Sequence, residues 1–324
     1  RRVKNVPFHQ RHTQEHHCSR IPKCTEQKDH SLENNINSKR RDSDNLKMQL
    51  AEERDFYGFV ISDKLRQDYN FNYRPAPVDK TVLDRVRAID ALKRARELHF
   101  HGNMVEATRE WNSGTRDFDR AHWIAAAQLT HEWDWHSRAI IALASAKYWD
   151  DLDIRFPMAF EPLINSVSIN SNVQPHLLFA IARQESAFEV HAVSRAGAAG
   201  LLQIMPQTAK STAMSLNIPY KNSRQLFEIE KNLLIGSSYF KSLLERYDNN
   251  RILALASYNA GPDRVSTWLS RRSGKLTFDL WIELIPFRET RSYVKSVLMY
   301  SAINSHKIGS RRRMLEPDEI KLLL

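Results

Sequence analysis

Apolar residues recur at helical spacing along most of this chain, and stretches that alternate apolar with polar positions are few. Leu46, Met48 and Leu50, then Phe56, Phe59 and Val60, mark the start of folded structure. Tyr69 to Val78, with Pro75 and Pro77, reads as an extended connector, because the residue before a proline is pushed out of the helical region. Asp79 then caps a helix carried by Val82, Leu83, Val86, Ile89, Leu92 and Ala95. Amphipathic segments follow at about 104–111, 116–131 and 135–148. Short successive helices of this kind stack as hairpins into a solenoid, although no strict repeat marks the units. Pro157 and Pro162 mark a boundary, and further helices are expected near 160–168, 175–187, 206–216, 230–247, 252–259, 262–270 and 286–304. Pro175, Pro206, Pro262 and Pro286 fit first-turn positions, where a missing N–H leaves no bond unmade. The expected class is all-α, in three parts: a basic polar tail at 1–45, a superhelical, solenoid-like segment at 46–157, and a second helical domain at 158–324.

Length and composition narrow this only a little. The 324 residues suffice for two domains, and 9 glycines and 12 prolines are too few for a low-complexity chain. A net charge of +10 suits a polyanionic partner: nucleic acid, anionic lipid or cell wall. No run of apolar residues is long enough for an integral membrane segment. Residues 1–45 lack the apolar core of a signal peptide, and the chain opens on Arg1 rather than Met, so further sequence is expected upstream. The tail reads as disordered. It gathers His9, His12, His16, His17 and His30 around the two cysteines, Cys18 and Cys24, but the spacings fit no zinc pattern. His131 and His136 are five apart, which on one helix puts them on different faces, so no metal is expected there either. No Gly-x-Ser-x-Gly elbow, Walker loop or dinucleotide fingerprint is present. No cofactor is expected.

One position changes the picture. Leu177, Leu178, Ile181 and Glu185 share a helical face, so a carboxylate stands on an apolar stripe. Desolvation raises such a carboxyl's pKa and keeps it protonated near neutral pH, as a general acid requires. Gly197 and Gly200 follow closely, and glycines let backbone approach a ligand.

The chain then carries four ordered motifs: Glu185-Ser186; Gly200-Leu-Leu-Gln203-Ile-Met205-Pro206; Ala256-Ser-Tyr258-Asn259-Ala-Gly261-Pro262; and Pro286-Phe-Arg-Glu289-Thr-Arg-Ser-Tyr293-Val294. Together they resemble the soluble lytic transglycosylases, bacterial enzymes with a goose-lysozyme-like catalytic domain. The resemblance runs from about Phe160 to Asn304 and extends upstream to the helical superhelix; residues 1–45 have no counterpart. It implies a lysozyme-like fold for 158–324 and Glu185 as the single acid/base. Glu185 would protonate the bond between N-acetylmuramic acid and N-acetylglucosamine, then take the proton of the muramoyl C6 hydroxyl as a 1,6-anhydro ring closes. It further implies Ser194, Gln203, Met205, Tyr258, Asn259 and Glu289 as groove residues, with the Tyr258 hydroxyl holding the carboxyl or an N-acetyl group. Glu289, Tyr293, Val297 and Tyr300 share a helix face, so Glu289 is expected to point inward. Phe188 stands where the family often has Trp, Glu189-Val190 where it often has Asn-Pro, and Leu202 where Met is common; these touch groove shape rather than the acid.

The expected partner is peptidoglycan glycan strands, reached in the periplasm. Alternatives are a hydrolytic muramidase or chitinase on the same fold, and a wall-binding scaffold without activity. Nucleic acid has only charge in its favour, and no motif supports it. Trp111, Trp123, Trp133, Trp135 and Trp149 are expected to pack between the upstream helices.

Overall fold

The computed structural model describes residue 39, residues 41–271, residues 276–317 and residue 319. The chain divides at Gln49 into two compact units. In the first, residues 39 and 41–49 are helical; the tail's histidines and cysteines lie outside the described residues.

The second unit opens with α1 (Phe56–Leu65), capped by Asp55, whose carboxylate accepts from Gly58 N at 2.7 Å. The connector at 67–79 has no regular structure, as expected. The Arg54 guanidinium fixes it, donating to the carbonyls of Phe71 (2.6 Å) and Asn72 (3.0 Å) on one side and to Trp149 O and Asp150 on the other. Asp79 caps the next helix, but the single helix expected there is two, α2 (Lys80–Ala88) and α3 (Asp90–Phe100). Ile89 is extended, with ψ 120°. An unbroken helix would turn Leu92 well away from Val86; the break lets both be fully buried in one core.

Next come α4 (Met104–Gly114), α5 (Arg120–Glu132), α6 (His136–Ser145) and the short α7 (Leu152–Arg155). Helix α3 pairs with α4, α5 with α6, and α2 lies on α5. Their core holds Trp111, Trp133 and Trp135 between alanine-rich faces, whereas Trp149 is half exposed beneath the Arg155 guanidinium. The reading of His131 and His136 as two faces of one helix is corrected here. A turn separates α5 from α6, and both histidines line one cavity with Asp134, Asp153 and Lys307. Among the described residues no group of three or more His, Cys, Asp or Glu is placed to hold a metal ion.

The second core is built from α8 (Glu161–Ser171), α9 (Pro175–Glu185), α10 (Pro206–Ser215), a 3-10 turn (Ser223–Phe227), α11 (Ile229–Arg246), α12 (Arg251–Ala260), α13 (Pro262–Ser270), α14 (Phe278–Glu283) and α15 (Arg288–Lys307). Helix α9 packs along α15, α12 lies on α15 and α11, and α11 crosses α8. Phe56, Phe59 and Val60 of α1 join this core, although α1 precedes the stacked pairs in sequence. Pro175, Pro206 and Pro262 sit in first turns as expected; Pro286 stands before the cap of α15 instead. Among the described residues there is no strand, only isolated bridges at Val193–Ala199 and Ala199–Ile204. Among the described residues the fold is all-α, a layer of paired helices followed by a second helical core.

Candidate active site

Helix α9 is nearly all core: His176 to Ala182 are buried without interruption, with Leu177, Leu178 and Ile181 at 2 % exposure or less. It ends on Glu185, two residues sooner than its sequence suggests, because Ala187 and Phe188 take positive φ of 51° and 65°. Non-glycine residues are uncommon in that region and persist only where their surroundings hold them. Ser186 supplies one tie, its hydroxyl donating to Leu201 O at 2.8 Å.

The Glu185 carboxyl is pushed up to about 7, chiefly by burial, with the Glu289 charge adding to it and the Tyr293 hydroxyl opposing it. As a residue Glu185 is intermediate in exposure, so the desolvated carboxyl still meets the surface. It is in no ion pair with a described residue. Tyr293 and Tyr258 flank it, and the Glu185 charge helps burial raise both phenols well above their ordinary value. Tyr293 Oη is buried and, although near Glu185, closes no hydrogen bond of standard geometry with a described residue.

The glycine turn is locked from below. Gly200 has φ 79°, and a Cβ there would lie 2.0 Å from Leu226 O and 2.2 Å from Asn232 Nδ2. Asn232, fully buried on α11, uses its whole amide: Oδ1 accepts from Leu202 N (2.8 Å), and Nδ2 donates to Leu226 O (2.8 Å) and Ala199 O (3.1 Å). Gln203 has φ 48°, and its side-chain amide donates to Gly200 O and Ala192 O. From above, Tyr258 Oη donates to Leu202 O at 2.8 Å. Of the two roles expected of this phenol, holding the carboxyl is thereby corrected; the phenol on α15 that faces Glu185 is Tyr293.

A cavity of about 240 Å³ opens beside this turn, lined by Gln203, Met205, Tyr239, Tyr258, Asn259 and Arg264. A second, of about 520 Å³, adjoins it through Asn259, Ala260 and Arg264 and reaches Phe287 and Glu289. Gln203, Met205, Tyr258 and Asn259 line the first cavity and Asn259 and Glu289 the second, and Glu185 lies near them through Tyr258 and Glu289. Met205 is 41 % exposed, so it is a wall of the cleft rather than core. Asn259 Oδ1 accepts from Thr290 Oγ1 at 2.6 Å, which ties the third motif to the last. One expectation is corrected. Glu289 does not point inward: it is exposed, in the first turn of α15, where the helix dipole favours an acid. Ser194 Oγ accepts from Ala198 N at 3.0 Å and closes its own turn. Reasoning from sequence left out Asn232 and Tyr293 as site residues. The spacing of Tyr293 four residues after Glu289 was the available signal; Asn232 had none.

Family models and known proteins match most of this chain. Residues 162–280 match the transglycosylase SLT domain, residues 85–152 the soluble lytic murein transglycosylase L domain, and residues 284–312 the soluble lytic transglycosylase helical domain. The soluble lytic murein transglycosylase of Salmonella typhimurium is 35 % identical over 271 residues, 83 % of this chain and 42 % of that protein. Its Escherichia coli K12 counterpart is 34 % identical over 272 residues, again 42 % of its length. Among solved structures, an inactive glutamate-to-glutamine mutant of the Pseudomonas aeruginosa lytic transglycosylase Slt superposes with a TM-score of 0.81 at 42 % identity, over 86 % of this chain and 45 % of that one. The 70 kDa soluble lytic transglycosylase of Escherichia coli gives 0.82 at 32 % identity, over 89 % and 47 %. Fold and matches define a lysozyme-like transglycosylase domain with a helical layer before it. The chain belongs to the soluble lytic murein transglycosylase family. It spans about two fifths of the length of these curated relatives.

Proposed function

We propose that this protein cleaves peptidoglycan glycan strands at the β-1,4 bond between N-acetylmuramic acid and N-acetylglucosamine without consuming water. The observation that carries the reading is a carboxyl with a pKa near 7, at the end of a buried helix, beside a cleft walled by the three other motifs. Glu185 starts protonated and gives its proton to the glycosidic oxygen as the bond to muramoyl C1 breaks. The carboxylate left behind takes the proton of the C6 hydroxyl as that oxygen closes onto C1. The acid is thereby restored, and the product ends in a 1,6-anhydro ring. An intramolecular hydroxyl replaces the positioned water of the two-carboxylate scheme, so effective molarity lowers the barrier. Gln203, Met205, Tyr258 and Asn259 line the saccharide site, and Tyr293 orients the acid. Burial keeps Glu185 protonated, and the charge of Glu289 at the mouth of the cleft adds to it. In this reading residues 158–324 are the catalytic domain, 46–157 its supporting layer, and the substrate places the protein in the periplasm.

Glu289 is also the one observation favouring a hydrolytic muramidase, since a second carboxylate can activate water. The two readings share the first step, and the Glu185→Gln variant tests it. Release of soluble fragments from purified sacculi should fall by about 10²–10⁴-fold, the usual contribution of a general acid. Release at the wild-type rate would remove Glu185 from the reaction.

A further inference from the structure

The segment that ends the acid's helix is held by the upstream layer as well as by its own domain. Two consecutive residues after the left-handed Ala187 dock on the start of α6. Phe188, itself in left-handed backbone and buried, meets the His136 ring edge-on at 6.4 Å. Glu189 donates its backbone N–H to Ser186 O (3.0 Å), closing the turn, while its Oε2 accepts from the buried Ser137 Oγ at 2.8 Å. The residue preceding α6 supplies no side-chain cap, so the Glu189 carboxylate lies where the helix dipole favours an anion. Arg138 and His99 face that carboxylate, and its charge raises the pKa of each against the stronger effect of burial. The anchor is braced from behind: Trp135 stacks on His99 at 4.6 Å, and Arg138 Nη2 donates to Thr108 at 3.0 Å, which ties α6 to α3 and α4.

We propose that Glu189 and Ser137 form a latch that positions Glu185, so that the helical layer is a working part of the active site rather than a spacer. A turn with two residues of sparsely populated backbone relaxes unless something opposes it. Release at Glu189 would let the end of α9 unwind and move the carboxyl relative to Tyr258 and Tyr293. Misplacement by a fraction of an ångström is felt in the chemical step far more than in binding. The inference rests on Glu185 as the acid.

The test uses the full chain on purified sacculi, with Glu185→Gln as reference and Glu189→Ala, Ser137→Ala and Glu189→Gln as variants. Glu189→Gln keeps an oxygen for the Ser137 hydroxyl. For each, kcat, KM, the pH profile and Tm are measured. The latch predicts about a tenfold loss of kcat in Glu189→Ala and Ser137→Ala with KM within about twofold. It also predicts a displaced alkaline limb, most of the activity recovered in Glu189→Gln, and proteins fully folded at the assay temperature. The proposal is overturned if Glu189→Ala keeps the wild-type kcat and pH profile while Glu185→Gln is inactive. It is equally overturned if any loss of kcat follows the unfolded fraction alone. An active Glu185→Gln would remove the reading of the acid, and the latch with it.

Discussion

At Glu185 burial works in opposite directions on chemistry and on stability. Its carboxyl titrates at about 7 in the folded protein against an ordinary 4.5, so the folded state holds that proton more tightly than the unfolded chain does. The stabilisation this gives is complete below pH 4.5 and is lost as pH rises through about 7. Replacing Glu185 with Gln removes the ionisation. Thermal unfolding should therefore show little difference between the two proteins at pH 4.5, and a Gln variant more stable at pH 8 by up to ~3 kcal/mol. Equal Tm values at both pH values would mean that the carboxyl is not desolvated. Activity should follow the same proton, with kcat/KM falling above pH 7. The acid itself was legible in the sequence, because one charge interrupting an apolar stripe is visible as a spacing. The orientation of each neighbouring side chain was not. Tyr258 and Tyr293 are both tyrosines of the motifs, yet one bonds Leu202 O and the other faces the carboxyl; packing of α12 and α15 decides that. Ser194 could not be told from a serine that closes its own turn, and that is what it does.

Among elements, the loop between α9 and α10 depends on a contact that the spacing of residues in the sequence does not reveal: Asn232 reaching up from α11. Asn232→Leu would strand Leu202 N and two carbonyls in the interior, at a cost of about 3–5 kcal/mol. Gly200→Ala combines an unfavourable backbone with a Cβ driven into Leu226 O, and should lose at least ~2 kcal/mol together with most of the activity. Both are read from chemical denaturation midpoints; a midpoint within error of wild type would mean that the loop is not held this way. Helices with long apolar stripes were legible from periodicity alone. The break at Ile89 was not, because the stripe continues through it and only the shared burial of Val86 and Leu92 requires a bend. Nor were α7 and α14, whose four and six residues are too short to display a period.

Over the whole molecule, a distant segment of chain closes the second core. Arg251, buried at the start of α12, pairs with Glu319 through Nε at 2.9 Å and Nη2 at 2.5 Å, and also donates to Met314 O. Removing the acid leaves an uncompensated buried guanidinium, so Glu319→Ala should cost about 3–5 kcal/mol. An unchanged Tm would mean that the pair is solvated in solution. No helix among the described residues is long and apolar enough to cross a membrane. The net charge of +10 suits an anionic wall but does not select it. The proposed choice of substrate rests on the site instead, where Glu289, exposed at the rim, and the phenols of Tyr258 and Tyr293 act on Glu185. The central claim is that this one carboxyl serves first as acid and then as base, with no water in the product. Digesting sacculi in ¹⁸O-labelled water and weighing the fragments tests it directly. The account predicts unlabelled fragments ending in 1,6-anhydromuramoyl groups; reducing ends that carry the label would contradict it.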